Sequence, residues 1–395
     1  MKKMITNKQI VEQINKRILK KPLFYVTRYK ERGSGLGKLK NYKIITTTPP
    51  KDTAEILEKK PLPLSSIIVF KNNVKIQRLS KQKNLKLLNP DYHLVEKYEN
   101  KISQYQWLKK IIPSNLLKTV ITIPNKNSFQ QLSKTLGKPF IGQFNRSHTG
   151  QGTLLISQLK QWKELIEKFP LRKIKCTQFI NNPAITVNVC LWQKCVLMGN
   201  PSYQITGLKQ LTDFPYSTTG NDWSLAQKIL NSNDFKIIKV LSQKIGTAMI
   251  KDGWQGLFGL DFIKGKKWLV IEINARQPAS TGLETVLQKK QGKGITIFAA
   301  HVAALLKLPL PGNCEQVKKS FQKIDQGSQI IIRKKFKNIF NFKKIINPDI
   351  KILKNDLKTK KHNTELFRIQ NLKSGFITKN NQLNSLAKQL LKNLK

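Results

Sequence analysis

The sequence predicts a mixed α/β chain of two or three domains, and three observations predict it. Short apolar runs alternate with loops or helical stretches through residues 22–90. Four strand-like runs crowd between 115 and 192. Residues 256–276 then read as an antiparallel hairpin. With 395 residues and 39% hydrophobic side chains, the chain can bury a substantial core and is too apolar to stay disordered.

Each element follows from a local pattern. Ile10, Val11, Ile14 and Ile18 share one face of a helix over 5–20. "PLFYVTRY", "KIITTTPP" and "SSIIVF" read as strands, with the Gly-rich "ERGSGLGKLKNY" between the first two. "NPDYHLVEKYENKISQYQWLKKIIPS" reads as helical, ends at Pro113 and closes a small N-terminal α/β domain over 1–112. "TVITIP", "PFIGQFN", "KIKCTQFI" and "ITVNVCLW" are strands, with a helix at "ISQLKQWKELIEKF" between the second and third. Residues 199–222 are loop-rich, and residues 222–252 read as helices. After the hairpin, "GITIFAAHVAALLKL" is a helix ended by Pro309 and Pro311, so a central domain spans 113–310 and divides at 198. Residues 311–395 form an α/β appendix with a strand in "GSQIIIRKKF" and an amphipathic helix carrying Leu383, Leu386, Leu390 and Leu394.

Charge and cysteine content bound the setting. Lys and Arg number 72 against 22 Asp and Glu, a formal +50. The lysines run through the whole chain without a concentrated block, which fits a compositional bias better than a dedicated nucleic-acid surface. Weak, salt-dependent nucleic-acid binding is the other reading. Cys176, Cys190, Cys195 and Cys314 form no CxxC pair and read as four buried thiols of a reducing, cytoplasmic protein. The charged N-terminal stretch lacks a signal peptide's apolar run, and no stretch of about 18 apolar residues appears, so no membrane association is expected.

The hairpin "GLFGLDFIKGKKWLVIEINARQPAST" carries the strongest chemical signal. A four-residue turn at "KGKK" puts Phe258, Leu260, Phe262, Leu269, Ile271 and Ile273 on one face, toward a core. The other face carries Gly259, Asp261, Val270, Glu272, Asn274 and, by continued alternation, Arg276. Asp261 then opposes Val270, with Glu272 its diagonal neighbour at roughly 7–8 Å. Two acids and an amide oxygen on one face could hold a hard cation, magnesium or alternatively manganese, at about 2.1 Å. A solvated hairpin with scattered charges is the bland alternative. The second stretch, "KPFIGQFNRSHTGQGTLLIS", runs from a strand through two glycines into another strand. Its backbone N–H groups could cradle phosphate, although a plain hairpin turn reads equally well. "GSGLGK" at 33–38 lacks the acidic partner of a dinucleotide fingerprint.

Taken together, these two stretches resemble the ATP-grasp superfamily, nearest to its carbamoyl-phosphate-synthase and biotin-carboxylase-like members, over about residues 89–310. The resemblance implies two lobes clasping ATP, a lid lobe over 113–198 and a metal-binding lobe over 199–310, after a pre-ATP-grasp domain. It implies Asp261, Glu272 and Asn274 as magnesium ligands and Arg276 as the group that stabilises the charged intermediate. Lys101 matches a phosphate-contacting lysine. Gln143, His148, Thr149, Gly150, Gly152 and Thr153 match the strand and flexible loop over the triphosphate, and Gln178, Phe179 and Ile180 match the adenine segment. Two departures stand out: Gln143 replaces a family lysine, with Arg146 or His148 as candidate substitutes, and Ala184 falls where an acid usually holds the ribose. The implied activity is ATP-dependent ligation of a small carboxylate to an amine or similar nucleophile through an acyl phosphate. Carboxylation or phosphotransfer on the same fold, and a non-catalytic nucleotide- or RNA-binding protein, are the rivals. Residues 199–222, polar and rich in Gly and Thr, are a candidate acceptor lining.

Overall fold

The computed structural model describes residues 4–146, 152–335, 347–355, 357–359 and 361–394. Three sheets organise it. In the first, β1 (Leu23–Val26), β2 (Tyr42–Ile45), β3 (Ser66–Val69) and β4 (Lys86–Leu87) run parallel in the order β2-β1-β3-β4. β1 and β3 are buried along their whole length, as near-continuous apolar runs between helical layers should be. The preceding helix, Asn7–Ile18, starts at a Thr6–Gln9 capping box and buries Ile10, Ile14 and Ile18.

The helical stretch before Pro113 is two helices, Tyr92–Glu99 and Lys101–Ile111. Asn100 breaks them: its backbone is extended, and its side chain accepts the N–H groups of Ile102 and Ser103 at 3.2 Å each. The break sets Glu99 and Lys101 on either side of one helix junction.

The second sheet is antiparallel: β5 (Thr119–Thr122), β6 (Phe140–Phe144), β7 (Thr153–Ile156) and β8 (Ile174–Gln178), ordered β5-β8-β6-β7. One face packs Phe140, Phe144, Ile174 and Cys176 against Leu132 and Trp162 of the helices Phe129–Leu136 and Leu159–Lys168. The opposite face is mixed, with Gln143, Thr153, Lys175 and Thr177 beside Ile121, Ile141 and Leu155.

The third sheet has nine strands: β9 (Ala184–Trp192), β10 (Cys195–Met198), β11 (Ser202–Thr206), β12 (Thr218–Asp222), β13 (Gly256–Lys264), β14 (Trp268–Asn274), β15 (Ser328–Arg333), β16 (Ile350–Lys354) and β17 (Glu365–Asn371). Their order is β14-β13-β9-β11-β12-β15-β17-β16, with β10 paired to β9. Strands 184–198, expected with the lid lobe, therefore lie in the hairpin's sheet, β9 pairing with β13 and β10 with β9, and the appendix over 311–395 extends the same sheet through the β12–β15 pairing.

Residues 199–222, expected as an acceptor-lining loop, contain β11 and β12. These strands escape a hydrophobic pattern because their buried polar side chains satisfy one another. Asn221 Nδ2 donates to Ser202 Oγ (3.1 Å), and Gln329 Nε2 donates to Asn221 Oδ1 (3.3 Å). Two of the four cysteines also differ from expectation. Cys195 and Cys314 form a disulfide across 119 residues of sequence, while Cys176 and Cys190 are buried thiols. Spacing along the chain gave no sign of that pairing, because only the fold brings β10 to the helix Cys314–Lys319. Among the described residues, no helix is long and apolar enough to cross a membrane.

Candidate active site

The hairpin closes with a shorter turn than its sequence predicts. Lys264 pairs with Trp268, leaving three residues in the turn, and the register then shifts between Asp261 and Phe262. Val270 opposes Phe262 and Glu272 opposes Asp261, so Ile271 is the extra residue of a bulge. The expected opposition of Asp261 to Val270 is replaced by direct opposition of the two acids. Val270 and Trp268 join Phe258, Leu260, Phe262 and Ile273 in the core, and Leu269 and Ile271 leave the expected apolar set. The bulge thus reverses the alternation of β14 while keeping Asp261, Glu272 and Asn274 together.

Directly opposed residues have Cβ atoms about 4.5–5.5 Å apart. Two carboxylates at that spacing repel by roughly 3 kcal/mol at an effective dielectric of about 20. The neighbours manage that repulsion. Thr186 on β9, in register with Asp261, donates its hydroxyl to Asp261 Oδ1 at 2.8 Å, and Asn274 Nδ2 donates to Oδ2 at 3.1 Å. Lys101 Nζ forms an ion pair with Glu272 Oε2. Burial, and then the facing Glu272, push Asp261 up to about 7. Burial also acts to raise Glu272, but Lys101, Arg276 and Lys175 outweigh it and hold its carboxyl below the usual range. The donor set is all oxygen, and among the described residues no group of three or more His, Cys, Asp or Glu side chains could hold a metal. Two carboxylates and an amide fit a hard cation that completes its shell with water or phosphate oxygens.

Arg276 leaves β14 toward the N-terminal domain, where its guanidinium pairs with Glu99. Glu99 also accepts from Lys71 Nζ at 2.8 Å. Desolvation of Glu99 is outweighed by Arg276 and Lys71, which hold its carboxyl down to about 2. Gln277 stitches the same domains together: it accepts from the Tyr25 hydroxyl (2.6 Å) and donates to the Arg32 carbonyl (2.8 Å).

The face of the second sheet turned away from its core carries a cross-strand row of polar side chains. Thr153 opposes Gln143, and Gln143 opposes Lys175. Gln143 Nε2 donates to Thr153 Oγ1 at 3.2 Å, and the Gly152 carbonyl accepts from Phe144 N at 3.3 Å. Lys175 is 4% exposed, and among the described residues its side chain has neither an ion pair nor a hydrogen bond, only the Tyr105 ring with its centroid 5.7 Å away. Burial, with Lys101 nearby, lowers its ammonium to about 8 against the pull of Glu272. A desolvated cation–π contact contributes about 2 kcal/mol, against several for burying an ammonium. Arg146, a candidate replacement for the missing lysine charge, points outward to an ion pair with Glu96. His148, Thr149 and Gly150 lie outside the described residues.

The end of β8 reaches the hairpin tip. Asn182 Nδ2 donates to the Lys264 carbonyl at 2.7 Å, and Ile180 lies against Gly265. Gln178 is committed at its backbone N–H to Lys118 O (3.0 Å), and its side-chain oxygen accepts from Lys118 N (3.3 Å). Backbone groups of Phe179 and Ile180 have no partner among the described residues.

Sequence reasoning missed Glu99 as the anchor of Arg276, Thr186 as the anchor of Asp261, and Lys175. Arg32 belongs to "RYKERGSGLGK", whose cations suit a carboxylate or phosphate by sequence; its guanidinium lies 3.7 Å from the Phe70 ring centroid and its Nε has no hydrogen-bond partner. Beside it, Arg368 on β17 pairs with Glu365 (2.8 Å) and donates to the Ala279 carbonyl (2.9 Å), bracing the loop after Arg276. One signal was available: a lysine between Ile174 and Cys176 on a strand must face opposite to the core.

An antiparallel lid sheet facing a carboxylate-bearing hairpin, after a parallel N-terminal sheet, defines the ATP-grasp fold, and this chain has it. Carboxyaminoimidazole ribonucleotide synthase from Aspergillus clavatus, solved with ATP, is similar over 95% of this chain and 99% of its own, at TM-score 0.65 and 12% identity. N5-carboxyaminoimidazole synthetase from Staphylococcus aureus, solved with ADP, gives 98%, 95%, 0.61 and 11% for the same measures. The biotin carboxylase domain of Hydrogenobacter thermophilus 2-oxoglutarate carboxylase, solved with MgADP and bicarbonate, gives 92%, 84%, 0.60 and 12%. No protein-family model matches the chain, and no curated protein matches its sequence.

Proposed function

We propose that the chain is an ATP- and magnesium-dependent ligase that joins a small carboxylate to an amine or similar nucleophile through an acyl phosphate. The observation that carries this reading is the direct opposition of Asp261 and Glu272, with Asn274 beside them, across from the cationic face of β8. Asp261, Glu272 and Asn274 would hold the cation. Bound there, magnesium offsets charge on the phosphate chain and on the transferring phosphoryl group.

The chain's own residues do the rest. Lys101, now paired with Glu272, would be free to meet a phosphate oxygen if that carboxylate held a cation. The free backbone groups of Phe179 and Ile180 receive adenine beside the hairpin tip. Gly152 and Thr153, at the start of β7 beside Gln143, would meet the phosphates. Arg276, fixed by Glu99, faces the acid being activated, whose oxygen attacks the terminal phosphorus and releases ADP. The nucleophile then attacks the carbonyl carbon and expels phosphate. Arg32, with its unpaired Nε, supports an anionic substrate on that side. The similar structures hold ADP with 5-aminoimidazole ribonucleotide in one case and MgADP with bicarbonate in another, so bicarbonate belongs among the acids to test.

The test is magnesium-dependent ADP release with pooled carboxylates and amines, comparing wild type with Glu272→Ala. Loss of a metal ligand should lower turnover by more than about a hundredfold. ADP release untouched by the substitution, or tight RNA binding without turnover, overturns the reading.

A further inference from the structure

We infer that Lys175 is the phosphate-binding cation of the lid sheet, supplying from β8 the positive charge that Gln143 on β6 lacks. The inference rests on the ATP-dependent reading above and deepens it. Two positions in direct cross-strand register present their side chains to the same side of a sheet, at about 4.5–5.5 Å between Cβ atoms. Gln143 and Lys175 are such a pair. The hydrogen bond from Gln143 to Thr153 lies on that side, away from the core of Phe140, Ile174 and Cys176. A long, flexible ammonium side chain at 175 therefore covers the same space as one at 143.

The surroundings of Lys175 are those of a cation awaiting an anion. Buried lysines ordinarily carry an acid partner or extend their heads into water. Lys175 has no acid partner: it is 4% exposed, and among the described residues no carboxylate or hydrogen-bond acceptor meets it. The cations nearest the hairpin acids are paired, Lys101 with Glu272, and both Arg276 and Lys71 with Glu99. Counting Lys71, Lys101, Lys175 and Arg276 against Glu99, Asp261 and Glu272, four cations face three acids. The surplus sits on the sheet that faces the metal-holding hairpin, where a phosphate chain would lie.

The experiment is calorimetric binding of Mg-ATP, Mg-ADP and adenosine to the full chain and three variants. Lys175→Met keeps the apolar stem and removes the charge. Lys175→Arg keeps the charge. Gln143→Lys with Lys175→Met moves the charge across the strand pair. Loss of one charge-assisted contact corresponds to a Kd for Mg-ATP raised roughly tenfold to a hundredfold in Lys175→Met. Adenosine affinity should stay unchanged, Lys175→Arg should bind within a few-fold of wild type, and the transposed variant should recover most of the loss. Equal Mg-ATP affinity in wild type and Lys175→Met overturns the inference and leaves the ligase reading standing. Parallel loss of ATP and adenosine binding without recovery in the transposed variant shows a structural lysine and also overturns it. Should Lys175→Met fail to fold, judged by thermal unfolding, Lys175→Gln, neutral but polar, takes its place in the same comparison, with equal Mg-ATP affinity to wild type again overturning the inference. Wild-type protein that binds no Mg-ATP removes the parent reading itself.

Discussion

The hairpin sheet and the lid sheet face each other across the site and treat charge in opposite ways. On the hairpin side, Asp261, Glu272 and Arg276 each have a partner, and strands from three stretches of the chain are joined behind them. On the lid side, Lys175 is buried and unpaired on a sheet of only four strands. A set of paired charges holds its geometry before any ligand arrives. An unpaired charge costs stability and is retained where a ligand completes it. On the proposed reading, the base is preorganised and a bound nucleotide would complete the second sheet.

The comparison can be broken first at the base. The Cys195–Cys314 disulfide closes a loop of 119 residues, so reduction should lower stability by about 4 kcal/mol, read as a lower midpoint in urea unfolding. An unchanged midpoint would show that the base does not depend on this staple. Next in size is Glu99. Its folded-state pKa lies below its unfolded value, so its contribution is present above about pH 4.5 and is lost as pH falls toward about 2. Glu99→Gln should cost about 3 kcal/mol at pH 6, a gap that shrinks over that interval when both proteins are unfolded in denaturant at each pH. A gap independent of pH would remove the ion-pair explanation.

Thr186→Val tests the anchoring of Asp261 without touching a charge. Magnesium dependence of ATP consumption should shift about tenfold toward higher metal, with little change at saturation. The smallest effect sharpens the contrast on the lid side. Arg146→Ala removes an exposed ion pair and should change stability by less than about 0.5 kcal/mol and leave nucleotide affinity unaltered. A marked loss of affinity there would shift the lid's phosphate cation from Lys175 to Arg146.

Sequence periodicity made the base legible. Alternation along 257–276 put Asp261, Glu272 and Asn274 together, since a period of two needs no knowledge of the partner strand. It misplaced Val270, Leu269 and Ile271, because a bulge depends on how β13 is held by β9 and leaves no mark in composition. The strands over 202–222 were hidden because their polar residues are satisfied by β9 and β15, which come from distant parts of the chain. Glu99 and Lys101 read as one continuous helix until Asn100 was seen to cap a second one. Lys175 was missed for a different reason: in a chain with 72 Lys and Arg, one more lysine carries no information until its burial is known.

The central claim is that Asp261 and Glu272 together hold a divalent cation alongside ATP. Manganese, titrated into the full chain with ATP and followed by its paramagnetic resonance signal, measures this directly. Wild type should bind manganese more tightly than free ATP does, and Asp261→Asn with Glu272→Gln should abolish the difference. Equal binding by wild type and the double variant would contradict the account.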